Sequence, residues 1–207
     1  IILSSSFGLY TWMNNPESQM VAVTVKAGSK AEMTLPDGTF VHLNAATNLE
    51  YDVNNSKQRL VKLSGEAFFD VAKNPDCPFK VIINDLQIEV VGTSFNVKTY
   101  KKDIVETSLL SGRIRISGGS LPHEYTLSPG QKATYSAMDK TLRISKADAH
   151  VEAGWRDNYL IFESTPLIDV IAQIERWYGV EIRLHHKQIA QDLLSGSFRN
   201  ECIQNVI

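Results

Sequence analysis

The sequence predicts a mainly β protein with a C-terminal α+β domain: an irregular β-solenoid-like or sandwich-like all-β body followed by a small βαβ unit. Three observations carry this. Between Val21 and Lys146, turn signals return about every eight to twelve residues, with short β-branched and aromatic runs between them. No convincing helical period interrupts that stretch. Then residues 155–184, WRDNYLIFESTPLIDVIAQIERWYGVEIRL, switch from a period of two to a helical period and back.

The chain opens with IILSSSFGLYTWMNNP, sixteen positions without a charge (1–16). This is shorter than the roughly 20 apolar residues that cross a bilayer, and it lacks the basic start of a signal peptide. Two readings stand. It is the trailing end of a membrane helix, with Tyr10 and Trp12 at the interface where such rings are favoured, or it is a tail packed on the body.

In the body the turn signals are Gly28, Pro36-Asp37-Gly38, Asn54-Asn55, Gly65, Asn74-Pro75, Asn84-Asp85, Gly92, Gly112, Gly118-Gly119 and Pro129-Gly130. The runs between them include LVKLSG, AFFDVA, FKVII, LQIEVVG, FNVKTY, TSLLSG and RIRIS. A sandwich, a barrel and a solenoid of short strands all fit such a pattern. The lack of a strict period disfavours identical rungs. At LPDGT, Pro36 presets φ and Asp37-Gly38 supplies the tight reversal. In GEAFFDV, Ala67, Phe69 and Val71 alternate with Glu66, Phe68 and Asp70, so both faces of that strand carry an aromatic and both are expected to be covered. Gly92 is expected at a bulge or a close backbone approach.

Residues 147–157 read as a linker that begins a helical turn. Residues 159–164 alternate as a strand. Ser164 or Thr165 is placed to cap a helix, and Pro166 suits its first position, where no N–H is needed. Leu167, Val170, Ile171, Ile174, Trp177 and Tyr178 fall on one helical face, and Gly179 stands where a left-handed C-cap belongs. Val180, Ile182 and Leu184 alternate again as a strand. After a polar loop, HHKQIAQD, Leu194–Phe198 reads as a short strand. Asn200 is a candidate N-cap, with Ile203, Val206 and Ile207 on one helical face. Half of a second repeat leaves an open face, so further residues are expected in the native protein.

Composition narrows the chemistry. The chain has 207 residues, 43% hydrophobic and 21% charged, with a net charge of −2, ordinary values for a soluble globular protein. No basic stripe marks a nucleic-acid surface. Cys77 and Cys202 lie in different candidate domains and form no zinc spacing, and they read as two ordinary thiols. His185 and His186 are adjacent, so on a strand they point to opposite faces; with His42, His123 and His150 they read as surface histidines. There is no GxSxG elbow and no HExxH. Glu66 and Asp70 share one side of a strand, which is the seed of a glycosidase reading; the preferred reading is one buried, hydrogen-bonded acid and one exposed acid. No catalytic residue, cofactor or metal is expected.

The ordered motifs VKAGSKAEMTLPDGTFVHLNAATNLEY, LSGEAFFDVAKNPDCPFKV, VVGTSFNVKTY, SLLSGRIRI and LSPGQKATY, then WRDNYLIFESTPLIDVIAQIERWYGVEIRL and LSGSFRN, resemble the periplasmic part of FecR-type anti-sigma factors. The resemblance covers about residues 21–207. It implies a single-pass bacterial inner-membrane regulator with this part in the periplasm. It implies a cytoplasmic segment, absent from this sequence, that holds an extracytoplasmic-function sigma factor. It also implies a C-terminal domain similar to the signalling domains of TonB-dependent outer-membrane receptors, which receives their signal. On this reading residues 1–20 are the end of the membrane helix and the juxtamembrane segment, 21–146 the all-β domain, 147–157 the linker and 158–207 a C-terminal α/β domain that continues further. The expected partners are the periplasmic signalling domain of such a receptor and the sigma factor, with no nucleic acid bound directly. The expected contact is the strand edge at Leu194, Gly196 and Phe198, with Arg199 and Asn200 beside it, because adding a strand to an edge demands little sequence. Two other classes compete: a carbohydrate-binding or carbohydrate-cleaving β module built around Glu66 and Asp70, and a structural adhesion module.

Overall fold

The computed structural model describes residues 19–53 and 59–206. Two seven-stranded sheets form the body. The first runs, edge to edge, β1 (Met20–Val25), β4 (Thr47–Asp52), β5 (Arg59–Ser64), β7 (Phe79–Ile83), β8 (Leu86–Val90), β11 (Ile114–Gly118) and β12 (Tyr125–Leu127). The second runs β14 (Thr141–Lys146), β13 (Gln131–Ser136), β10 (Ile104–Ser111), β9 (Ser94–Lys98), β6 (Glu66–Asp70), β3 (Phe40–Leu43) and β2 (Ala31–Thr34). Strand number rises steadily across each sheet, so the chain crosses back and forth as it advances. That is a solenoid's path with a sandwich's cross-section, and both expected shapes describe the same body. Strand pairs are antiparallel except β5 with β7, where the chain visits the opposite sheet as β6 and returns in the same direction.

The period-two runs fold as strands because one side of each meets the other sheet. In β7 and β8 burial alternates residue by residue. Leu49, Val61, Val81, Ile88 and Ile114 from the first sheet pack on Val41, Phe69, Phe95, Val97 and Leu109 from the second. Phe69 stacks on Phe95 at 5.2 Å and reaches Phe79 across the gap at 5.8 Å. Strand β6 is buried from Glu66 to Phe69, on both faces, and only Asp70 is exposed. A Cβ on Gly92 would lie 2.9 Å from the Cα of Lys73, so this glycine serves a close backbone approach.

The outer face of the second sheet is covered by helix α1 (Ala149–Ala153) and the 3-10 turn Gly154–Asp157. Beyond them lie β15 (Tyr159–Pro166), α2 (Leu167–Tyr178), a 3-10 turn at Lys187–Gln191, β16 (Leu193–Arg199) and α3 (Ile203–Val206). Strands β15 and β16 pair antiparallel, and α2 packs on them through Leu160, Phe162, Val170 and Ile174.

Three sequence expectations are corrected here. First, Val180–Leu184 joins no strand ladder: Ile182 donates its N–H to Glu175 Oε1 at 2.7 Å and packs on the small core, so local contacts use up its alternation. The unit is thus a strand–helix–strand arrangement whose second strand is β16, not Val180–Leu184, and whose two strands pair antiparallel. Second, Pro166 is the N-cap residue of α2, at the end of β15, rather than its first helical residue. Neither Ser164 nor Thr165 caps the helix. Pairing with β16 persists to Pro166 across a register shift between Phe162 and Thr165, so Ser164 (φ 44°) donates its N–H to Ser195 Oγ and Thr165 bonds Glu163. Third, Asn200 (φ 53°) ends the β15–β16 ladder by donating its N–H to Asn158 O, and α3 begins only at Ile203. Gly179 does take the left-handed C-cap conformation, at φ 68°. Residues 1–18, the turn signal Asn54-Asn55 and Ile207 lie outside the described residues. Among the described residues no helix is long and apolar enough to cross a membrane.

Candidate functional site

Two places combine unusual chemistry with position: the joint between the sandwich and the C-terminal domain, and the outer edge of β16. The joint grows from the alternation of β6. Because Phe69 points into the sandwich, Glu66 and Phe68 point out, beside His42 of β3 and Asn96 of β9. Phe68, 3% exposed, lies under Ala153 and Trp155. The Trp155 Nε1–H donates to Asn96 Oδ1 at 3.2 Å. The amides of Asn96 and Asn44 donate to the two oxygens of Glu66 at 2.9 and 2.8 Å. The Arg156 guanidinium sits 3.6 Å over the Phe68 ring. Glu66 is therefore a buried acid spent on holding two amides, while Asp70 is exposed and accepts from Ser94 Oγ at 2.8 Å. Of the two, only Glu66 borders the cleft between the domains, so Glu66 and Asp70 do not converge as a carboxylate pair.

The turn between β1 and β2 grips the other side of the joint. Gly28 donates its N–H to Arg176 O at 2.8 Å. A Cβ on Gly28 (φ 77°) would stand 3.2 Å from Tyr178 O, so only a glycine brings this backbone so near the end of α2. Lys30 donates to Trp155 O at 2.6 Å and Asn158 Oδ1 at 3.0 Å, and its ammonium lies 3.6 Å over the Trp177 ring. Lys30 as a whole is exposed, yet its ammonium is partly desolvated by these contacts. That desolvation draws its pKa down to about 8, against the pull of the Glu66 charge. Burial, reinforced by the same Glu66 charge, pushes the Tyr100 hydroxyl well above its ordinary range; this hydroxyl donates to Ala45 O, and its ring lies under Arg176 at 4.0 Å.

A pH dependence follows. Between pH 8 and 10.5 the unfolded chain keeps a proton on Lys30 that the folded chain has released, so Lys30 makes stability rise with pH across that window. Above about pH 10 the Tyr100 shift acts in the opposite direction, because the unfolded tyrosine ionises first. Chemical denaturation at pH 8, 9 and 10 should show the rise in the parent chain and not in Lys30→Met. Parallel profiles would reject this assignment.

Between the domains lies a cleft of about 560 Å³ lined by Glu106, Lys132, Tyr159, Asp169, Gln173 and Arg176, among others. Its charges face one another: Lys132 pairs with Glu152 at 2.6 Å and Glu106 at 3.5 Å, and Lys101 with Asp169 at 2.7 Å. Among the described residues no cluster of His, Cys, Asp or Glu is arranged to hold a metal. Cys77 is half-buried in the sandwich and Cys202 is exposed near the end of the chain. His42 is not the plain surface residue its sequence context suggests. It contacts Glu32 at 3.1 Å and meets the rings of Phe40, Phe68 and Trp155, and burial lowers its pKa.

The five residues singled out on the terminal strand differ in burial: Leu194, Gly196 and Phe198 share one face, and only the last two reach the small core. Gly196 and Phe198 are half-buried; the Phe198 ring folds back over Gly196 and packs edge-on to Phe162 in the small core. Leu194, Arg199 and Asn200 are exposed. Arg199 lies 4.8 Å over the Tyr159 ring. Leu194 stands opposite Thr165, next to exposed Leu193 opposite Pro166. Of the joint residues, Phe68 and Trp177 were expected to be covered, as part of the GEAFFDV strand and of the apolar helix face, but Lys30 and Trp155 were not singled out from the sequence. One signal was there: Trp155 is the one large apolar side chain in the 147–157 linker besides Val151, and such a ring needs somewhere to go.

Comparison with known proteins gives a consistent picture. The family model described as FecR protein matches residues 21–115, and the one described as FecR, C-terminal, matches residues 159–207. Two crystal structures of a protein designated an anti-sigma factor from Parabacteroides distasonis ATCC 8503, at 1.65 and 2.50 Å, share the fold. The first is 31% identical, with 90% of this chain and 88% of that one covered and a TM-score of 0.82. The second is 32% identical, with 91% and 88% covered and a TM-score of 0.83. No curated protein matches.

Proposed function

The chain belongs to the FecR family of anti-sigma regulators, and from that premise we propose that it is the signal-receiving, periplasmic part of a single-pass inner-membrane regulator. Its C-terminal domain, residues 158–207, receives the periplasmic signalling domain of a TonB-dependent outer-membrane receptor. The β domain, residues 21–146, relays that event toward a cytoplasmic segment that holds an extracytoplasmic-function sigma factor. The observation that carries this reading is the pairing, in one chain, of the FecR body and the FecR C-terminal domain across a joint built from specific contacts. A regulator needs a receiver and a relay that are mechanically connected. In the cleft between the domains the charges are engaged with one another, Lys132 with Glu152 and Glu106 and Lys101 with Asp169.

The docking edge we favour is the open side of β16. Its backbone pairs with β15 on one side only, so a partner strand adds hydrogen bonds without demanding a particular sequence. With Phe198 turned into the core, the contacting side chains are Leu194, Arg199 and Asn200.

Calorimetric titration of the chain with the signalling domain of the receptor encoded beside it tests this. Saturable one-to-one binding is expected. Arg199→Glu should weaken it by about tenfold, the scale of one lost interfacial contact at ~1.4 kcal/mol. Unchanged affinity in a folded Arg199→Glu chain moves the site off this edge. No binding at all removes the receptor domain as the partner.

A further inference from the structure

The contacts that hold the C-terminal domain on the sandwich are few and mostly polar. The apolar part is centred on Phe68, Ala153 and Trp155. Around it stand single hydrogen bonds, rim ion pairs such as Lys101–Asp169 and Lys132–Glu152, and cations over rings. Small polar interfaces leave domains free to move against each other unless something fastens them.

One element fastens three separate points. From the turn at residues 27–30, the Gly28 N–H takes Arg176 O near the end of α2. Lys30 takes Trp155 O in the 3-10 turn and Asn158 Oδ1 just before β15 begins. The same ammonium covers the Trp177 ring on α2. The exit from the sandwich, the start of β15 and the end of α2 therefore all meet one lysine and one glycine. The Lys101–Asp169 pair is largely exposed and screened by salt, whereas Lys30 engages a carbonyl, an amide oxygen and a ring face at once.

We infer that the β1–β2 turn is a latch and Lys30 its bolt: the C-terminal domain has the closed position seen here and an open one, reached when Lys30 lets go of Trp155, Asn158 and Trp177. Opening lifts α2 off the turn and uncovers the Tyr100 ring and the polar face around Glu66. Combined with the regulator reading, on which this one sentence rests, a partner seated on the C-terminal domain acts on the sandwich through β1.

The test uses the chain alone, without any partner, so its outcome is independent of the receptor assignment. Spin labels go on Lys62→Cys, at the outer face of the first sheet, and Gln188→Cys, in the C-terminal domain, with Cys77→Ser and Cys202→Ser. The parent should give one narrow distance. Adding Lys30→Ala should bring in a second, displaced population and speed exchange of the Gly28 amide by at least tenfold, with the core amides of Val81 and Phe95 unchanged. Lys101→Ala, which breaks only a rim pair, should keep the parent distance. The latch is overturned if Lys30→Ala leaves both distance and Gly28 exchange as in the parent. It is equally overturned if the core amides speed up as much as Gly28, which would make the turn a plain structural element.

Discussion

Trp155→Ala is expected to destabilise residues 159–206 by about 3–5 kcal/mol, the cost of deleting a buried tryptophan ring, and to split unfolding into two steps. The ring is 6% exposed and fills the contact with Phe68 and Ala153. Its loss also takes the N–H from Asn96 Oδ1, in a network where Glu66 already engages the other side of that amide. The C-terminal domain has little else to rely on: its own buried core is Leu160, Phe162, Val170 and Ile174, and domains of this size are marginal alone. Trp155→Phe should keep most of the packing and lose only the hydrogen bond, about 1 kcal/mol. Urea unfolding followed by hydrogen exchange reads both. A single transition in Trp155→Ala, within 1 kcal/mol of the parent (~1.4 kcal/mol being tenfold in the equilibrium), would mean that the joint does not support the domain.

Arg59→Met should be nearly as damaging, and it acts inside the sandwich. The Arg59 side chain is 4% exposed and donates to Cys77 O and Ala72 O at 2.6 Å, and to Asn74 O and Asp37 Oδ2 at 3.2 Å. Asp37 in turn accepts from the N–H and hydroxyl of Thr39. One guanidinium thus ties the Pro36-Asp37-Gly38 turn to the loop between β6 and β7. Methionine matches the stem but abandons three carbonyls and a carboxylate, and breaking a buried pair this way costs about 3–5 kcal/mol. Lysine should not restore it, because one ammonium cannot serve acceptors arranged around a planar fork. A lysine variant with the parent's melting temperature would contradict this reading of the strut.

What the sequence made legible follows physical range. Alternation is local, so the strands of the body and the doubly covered GEAFFDV strand could be read directly, as could the α2 face and its Gly179 cap. Pairing is not local. Nothing in RLVKLS or FKVII says that β5 and β7 lie side by side and parallel, with β6 on the opposite sheet. The misread Val180–Leu184 shows the other limit. Alternating apolar residues license a strand only if an edge is available, and here Ile182 is satisfied by Glu175 and the small core. At the joint, Lys30 looks like any solvated lysine, because its acceptors lie more than a hundred residues away in sequence. On the terminal strand, alternation alone could not say which face would be the core: Phe198 turned inward and Arg199 outward, while Leu194, on the Phe198 face, lies beyond the small core and stays exposed.

The most direct test of the signal-receiving role is sigma-dependent transcription in cells that carry the full-length protein with or without residues 159–206, at matched protein levels. With the intact protein, adding the receptor's ligand should change transcription several-fold. With the C-terminal domain removed, transcription should no longer respond to the ligand, whatever its basal level. A full ligand response without residues 159–206 would contradict the reading, because the signal would then enter the regulator elsewhere.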